Sequence, residues 1–352
     1  MCSDLALKKG LSLRWLRRIV FAVAVLVAVV LTLWTTAAVY YDSPLGWFRT
    51  PAAVLYLVLV LMALILLRRS YKGVLVAFAG FILVALWWFS LKPSNNRDWQ
   101  PSNAATGYAD INGDQVTIHN LRNCDYVTTK DYTCKWETRS YNLANLSGAD
   151  IFITYWGSPW IAHPIVSFDF GDQGHLPMSI ETRDEVGQDY SAVRGFFRQY
   201  ALTYIASDER DVVRLRTNYR KDEEVYIFRL TTPPALARKL FLDYMQRMNE
   251  LHATPEWYNA LTNNCTTNIA VSAAEARHVR EHFNWRVLLN GKGDEMMYQN
   301  HQLVTGGLSL PALKAQAHIN AAARAAGDSP DWSKLIREGR VGFSAQPSAA
   351  GN

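Results

Sequence analysis

The sequence predicts an α+β protein: three membrane-crossing helices followed by a folded domain beyond the bilayer. Three observations predict it. Long uncharged apolar runs fill the first quarter of the chain, short strand-like runs fill its middle, and apolar residues at helical spacing mark its last third. The 352 residues are 49% apolar and only 19% charged, which excludes a disordered chain, a collagen-like repeat or a disulfide-dense miniprotein. The net charge of +5 is unevenly placed. Residues 1–98 hold 11 basic against 3 acidic side chains, a balance of +8, and the remaining 254 residues balance at −3. The basic excess borders the apolar runs, where it orients a membrane protein, and no nucleic-acid partner is expected.

Residues 1–91 read as a membrane anchor. The first run, 19–41, is uncharged over 23 residues, enough to span about 30 Å of hydrocarbon. Its length, and the lack of a small-residue cleavage site before the next run, argue against a cleaved signal peptide. The second run, 52–67, has 16 residues and needs either Trp47 and Phe48 or a locally thinned bilayer. The third, 73–91, ends in Trp87, Trp88 and Phe89, aromatic residues suited to the interface. Lys8, Lys9, Arg14, Arg17 and Arg18 precede the first run, and Arg68, Arg69 and Lys72 separate the second from the third. The loop between the first two carries only Arg49. The positive-inside rule then places the N-terminus in the cytoplasm and everything beyond residue 91 on the other side. The expected location is a bacterial inner membrane with a periplasmic C-terminal domain.

Residues 92–107 contain Pro93, Asn95, Asn96 and Pro101 and read as a polar linker, 108–345 as the domain, and 346–352 as a flexible tail. Cysteine usage fits an oxidising compartment. Cys2 falls on the cytoplasmic side, with no upstream apolar stretch to make it a lipidation site. Cys124 and Cys134 bracket a polar loop between strand-like runs at 115–120 and 135–141, so a disulfide closing that hairpin is expected. Cys265 is left as an unpaired exported thiol.

Further strands are expected at 151–156, 165–170, 176–182, 212–217 and 225–230, with Gly171-Asp172-Gln173-Gly174 as a hairpin turn. Residues 234–252 place Leu236, Leu240, Phe241, Tyr244, Met245, Met248 and Leu251 on one helical face, which reads as core. A second helix is expected from Asn263/Asn264 past Ala276, and later ones at 285–289 and 310–326. Strands in the middle and helices at the end make the domain α+β.

Several signals carry little. Asp110-Ile111-Asn112-Gly113-Asp114 resembles the start of a calcium loop but lacks the remaining ligands, so it reads as a turn. There is no phosphate-loop or dinucleotide fingerprint and no HExxH, and no cofactor is expected. His278 and His282 stand four apart without a third ligand, so they read as surface histidines and no metal is expected.

The chemistry points to Cys265. Asn263 and Asn264 are good N-cap residues and place Cys265 in the first turn of the following helix. There the free amides and the helix dipole favour an anion, which would lower the thiol pKa, and the same amides could hold a developing oxyanion. Asn264, Thr266 and Tyr258 are the supporting residues of that region. The alternative is a buried cysteine with no chemistry. A thiol nucleophile needs a base, and His163 opens a strand-like run from which it could face a helix terminus. A structural histidine is the other reading. Glu181, in the next strand, could orient the imidazole; His175 is its rival, and Arg183 could instead neutralise Glu181.

The motifs Trp160-Ile161-Ala162-His163, Ser167-Phe168-Asp169-Phe170, Ser179-Ile180-Glu181-Thr182-Arg183, Gly195-Phe196-Phe197-Arg198, Asp208-Glu209-Arg210-Asp211 and Tyr258-Asn259 through Asn264-Cys265-Thr266-Thr267 stand between residues 160 and 267, in a likeness that extends over roughly 151–343. This string resembles the Lnb-type N-terminal periplasmic domain family. The resemblance implies a permuted papain-like fold (circularly permuted NlpC-type), with His before Cys in the chain. It implies Cys265 as nucleophile, His163 as base, and acyl transfer on lipid-linked or lipoprotein acyl groups through a thioester. A peptidase or amidase acting on cell-wall or exported peptides keeps the same fold and changes the bond. An anchored binding module with an idle cysteine is the third reading.

Overall fold

The computed structural model describes residues 2–279 and 284–343; the expected tail at 346–352 and His282 lie outside them. Helices α1 (Cys2–Asp42), α2 (Arg49–Leu66) and α3 (Lys72–Ser90) follow the three apolar runs. Over Arg14–Asp42, Gly46–Leu66 and Lys72–Ser90 they are long and apolar enough to cross a membrane. The second span gains its length from a 3-10 turn, Gly46–Phe48, so Trp47 and Phe48 complete the short run. Many of the apolar side chains face outward, and Ala28, Val60, Val74 and Ala77 form a thin shared seam. Small residues at such a seam let helices approach closely in hydrocarbon. Gly73 shows the tolerance: a Cβ there would meet the Ala63 carbonyl oxygen at 2.8 Å.

A short strap, Ser191–Gln199, belongs to the same compact unit as the chain up to Pro93. Asp42, at the end of α1, accepts hydrogen bonds from the Arg198 amide at 3.0 Å, Gln199 Nε2 at 2.8 Å and Trp88 Nε1 at 2.7 Å. Tyr41 stacks on Phe197, and the Arg198 guanidinium lies 4.1 Å from the centre of the Trp88 ring.

Ser94–Tyr190 and the chain from Tyr200 onward form the second compact unit. Residues assigned from sequence to a linker take part in it. Arg183 donates to Asn103 O, Ala104 O and Asn95 Oδ1, and Asn95 Nδ2 donates to His252 O.

A three-stranded antiparallel sheet comes first, with β1 (Tyr108–Asn112), β2 (Gln115–Tyr126) and β3 (Tyr132–Asn142) in that order. The run that resembled a calcium site is the end of β1 and, at Gly113-Asp114, its turn into β2. Gly113 supplies its positive φ of 60°, and Asp110 pairs with His119. Cys124 and Cys134 sit inside β2 and β3, directly opposite each other, and are joined by a disulfide. They tie two strands rather than bracketing a loop, and the cross-link contributes about 2–3 kcal/mol by restricting the unfolded chain.

The second sheet is antiparallel, with β4 (Gly148–Trp156), β5 (Ser158–Asp169), β6 (His175–Arg183), β7 (Ala201–Ala206) and β8 (Glu223–Arg229) in the order β7-β6-β5-β4-β8. A 3-10 turn at Gly171–Gln173 joins β5 to β6 where a hairpin turn was expected. Strand β5 begins earlier than its apolar core suggested. His163 is therefore interior, opposite Thr154 of β4, and not at the strand's entrance. Strand β7 is buried at all six residues, so it has no alternation to mark it.

The strand expected at 212–217 is not formed. Asp208 caps a helical turn, α4 (Glu209–Val212), and a π-helical turn follows at Leu215–Tyr219. The apolar residues Val212, Val213 and Leu215 are buried from this coil, and burial alone does not distinguish a tight helix from a strand.

Helix α5 (Pro234–Ala253) buries Leu240, Phe241, Tyr244, Met245, Met248 and Leu251 against the sheet residues Val166, Phe168, Met178 and Ile180, as its spacing predicts. Helix α6 (Cys265–Ala276) follows, then α7 (Trp285–Leu288) and α8 (Gly293–Gln299). The helix expected over 310–326 is two, α9 (Leu310–Ala317) and α10 (Asn320–Ala326), before α11 (Trp332–Leu335). The free edge of β8 breaks it. Ile319 N donates to Val225 O at 2.9 Å, and Asn320 accepts from Val225 N while donating to Glu223 O. Edge pairing replaces the helical bonds those groups would have made.

Candidate active site

Strand alternation assembles one half of the site. In the β5–β6 register Ile165 faces Ser179, so His163, Ser179 and Glu181 share a face. His163 Nε2 lies 2.8 Å from Ser179 Oγ, which donates to Glu181 Oε1 at 2.7 Å. The direct approach of Glu181 to His163 Nε2 is 3.6 Å. Arg216, from the π-helical turn, closes the far side by donating to Glu181 at 3.2 Å and to Glu223 at 3.2 Å. Burial lowers the His163 pKa, and the Arg216 charge lowers it further, to about 3. Burial works against ionised Glu181, but the Arg216 and Arg122 charges prevail and hold its pKa at about 2. At neutral pH the imidazole is neutral and the carboxylate charged.

Helix capping builds the other half. Asn264 Oδ1 accepts from the amides of Thr266 at 2.9 Å and Thr267 at 3.0 Å, and Thr267 Oγ1 accepts from the Asn264 amide. This capping box fixes Cys265 as the first helical residue, 7% exposed. The cap occupies two of the amides expected to be free, and the Cys265 N–H remains beside the sulfur. Tyr258 lies in the same buried cluster as Cys265, its amide bonded to Tyr200 O and its hydroxyl to Tyr190.

A hydrogen-bonded bridge through Asn290 links the halves. Thr266 Oγ1 accepts from Asn290 Nδ2 at 3.1 Å, and Asn290 Oδ1 accepts from the amide of Ala162 at 2.8 Å, next in the chain to His163. Gly291 permits this approach, since a Cβ there would meet Pro159 O at 2.4 Å. Cys265 and His163 are not hydrogen-bonded to each other among the described residues. The sulfur has Thr266 Oγ1 at 3.7 Å, and His163 has Ser179.

The thiol expected to be acidic is not. Burial pushes the Cys265 pKa above its ordinary value, and the Thr266 hydroxyl and amide and the Arg216 charge only partly offset this. Desolvation of a thiolate outweighs the helix terminus here.

The remaining candidates lie elsewhere. His175 sits 3.8 Å from both Asp150 and Asp169, and Arg183 bonds the 95–104 segment, so Arg216 is the cation on Glu181. His278 lies beside Lys239, and no cluster of three metal-ligating side chains occurs among the described residues. Sequence reading missed Ser179, Arg216 and Asn290. Alternation could have found Ser179, two residues before Glu181. It also missed Thr154, whose buried hydroxyl, on β4 opposite His163, has no hydrogen-bond partner among the described residues.

His163, Ser179, Glu181, Arg216, Cys265 and Asn290 all fall within one matched segment. Residues 132–291 match the family model of the Lnb N-terminal periplasmic domain. The Lnb match thus begins at β3 and closes at the Asn290 bridge, leaving β1, β2 and the helices from α8 onward outside it. It begins before residue 151 and ends well before 343, the bounds expected for the likeness from sequence. No curated protein and no solved structure matches the chain.

Proposed function

We propose that the protein is a membrane-anchored periplasmic Cys–His acyltransferase or acyl hydrolase of permuted papain-like fold, acting on lipid-linked or lipoprotein acyl groups. The observation that carries this reading is the capped α6 terminus that presents Cys265 while Thr266 and Asn290 tie it to the strand of His163. In the proposed cycle His163 accepts the thiol proton as Sγ attacks the acyl carbonyl. The leaving alcohol or amine takes that proton, and an acyl thioester remains on Cys265. An amine, hydroxyl or water, deprotonated by the same imidazole, then attacks the thioester and the thiol is restored. Substrate binding must bring the two side chains into contact, as commonly happens between an unliganded site and its working complex.

The test uses the full-length protein in detergent with the p-nitrophenyl ester of an alkyne-tagged fatty acid. Hydroxylamine-sensitive label on the peptide containing Cys265, lost in Cys265→Ser, is the expected result. Label from a peptide ester, with none from the fatty ester, would replace the acyl reading by a peptidase. No label from either would leave a binding module, the reading that the unpaired, high-pKa thiol favours.

The proposed orientation has the N-terminus in the cytoplasm, from the basic residues flanking the spans. A phosphatase that folds only in the periplasm, fused after residue 352, should be active. Activity of a cytoplasmic reporter at the same point would reverse the orientation.

A further inference from the structure

The proton positions in the His163–Ser179–Glu181 chain follow from its geometry. Glu181 Oε1 also accepts from Arg216, so its carboxylate is ionised and brings no proton. The 2.7 Å approach of Ser179 Oγ to that oxygen then requires the serine proton to lie between them, because two oxygens without one would repel. A serine hydroxyl carries one proton. The 2.8 Å approach of His163 Nε2 to the same Oγ must therefore use a proton from the ring. Glu181, at 3.6 Å, is beyond hydrogen-bond length and cannot set the ring directly.

We propose that Ser179 is a positioning residue that holds His163 as its Nε2–H tautomer and leaves Nδ1 as the nitrogen that takes the proton. The proposal rests on reading His163 as the base and assigns which nitrogen does the work. Ser179 is fully buried, so no bulk water competes for its hydroxyl. Arg216 is in turn held by Glu223, which fixes the carboxylate on the serine side. The order is a relay of orientation: Arg216 sets Glu181, Glu181 sets the Ser179 proton, and Ser179 sets the ring. Nothing is transferred along it. The proton that moves in the reaction passes between Cys265 Sγ and Nδ1 and back to the leaving group.

The experiment is ¹⁵N NMR of the full-length protein in detergent, selectively labelled at histidine, with His163→Gln to identify the signals. The wild type should show a protonated-type shift at Nε2 and a lone-pair-type shift at Nδ1. Ser179→Ala should mix or invert the pair, and Ser179→Thr, which keeps a hydroxyl, should restore it. Acyl capture by Cys265 should be at least about tenfold slower in Ser179→Ala, since a wrong histidine tautomer can cost as much as about 10⁴. A wild-type His163 protonated at Nδ1 overturns the assignment, and that reading needs no variant to fold. A tautomer unmoved in Ser179→Ala overturns it too. Because the tautomer is read without substrate, its outcome is separate from whether Cys265 captures an acyl group.

Discussion

Replacing Asp211 with Ala is expected to destabilise the domain by about 3–5 kcal/mol, the cost of leaving a buried charge without its partner. Asp211 is fully buried and accepts four hydrogen bonds: from Arg122 Nε at 2.8 Å and Nη2 at 3.0 Å, the Cys124 amide at 2.9 Å, and the Tyr126 hydroxyl at 3.0 Å. Burial pushes its carboxyl up from the usual range, and this bidentate guanidinium and two further donors oppose that push. In Asp211→Ala the Arg122 guanidinium loses its bidentate partner and keeps the Ser102 carbonyl, at 3.3 Å, and the more distant charge of Glu181. Urea unfolding followed by tryptophan fluorescence reads the loss. The double variant Arg122→Met/Asp211→Leu should recover much of it, because removing both charges leaves none stranded. A single variant within about 1 kcal/mol of wild type would mean that the pair is solvated, as exposed pairs are. The pair also fastens α4 to β2, and α4 leads directly into the turn that carries Arg216.

His163→Ala is expected to slow acyl capture by Cys265 by about 10²–10⁴, the usual contribution of a general base. The pH dependence sharpens this. Burial holds the thiol above its ordinary value of about 8.5, so an unassisted thiol should react mainly in alkaline solution. With His163 present, proton removal accompanies attack and the rate should persist at neutral pH. The imidazole gains a proton in the folded protein only near pH 3, so the acid limb should lie well below 6.5. Capture measured across pH in both proteins checks it. An alkaline-only profile, identical with and without His163, would deny the histidine its role.

The three long apolar helices were legible because a candidate span needs only length and the absence of charge, and α5 because its apolar face repeats every three to four residues over five turns. Cys265 was placed from Asn264, since a cap is a local device. What was not legible depends on partners distant in sequence. Val212, Val213 and Leu215 are as apolar as a strand, and the Asp208 cap and the distant Arg122 partner of Asp211 favour the coil, which hid Arg216. The break at His318–Ile319 is imposed by the edge of β8, which the helical pattern of 310–326 does not contain. The raised pKa of the thiol is hidden for a related reason: a helix terminus can be read from neighbours in the chain, whereas the depth of burial cannot.

The strap has a consequence for release. The chain leaves the second unit after Tyr190 and rejoins it at Tyr200, and the nine residues between are fastened to Tyr41, Asp42 and Trp88 at the helix ends. Proteolysis between Pro93 and Ser94 severs one attachment and leaves another, made of hydrogen bonds and stacked rings. A protein moored twice resists shedding: after such a cut the domain should still sediment with the membranes.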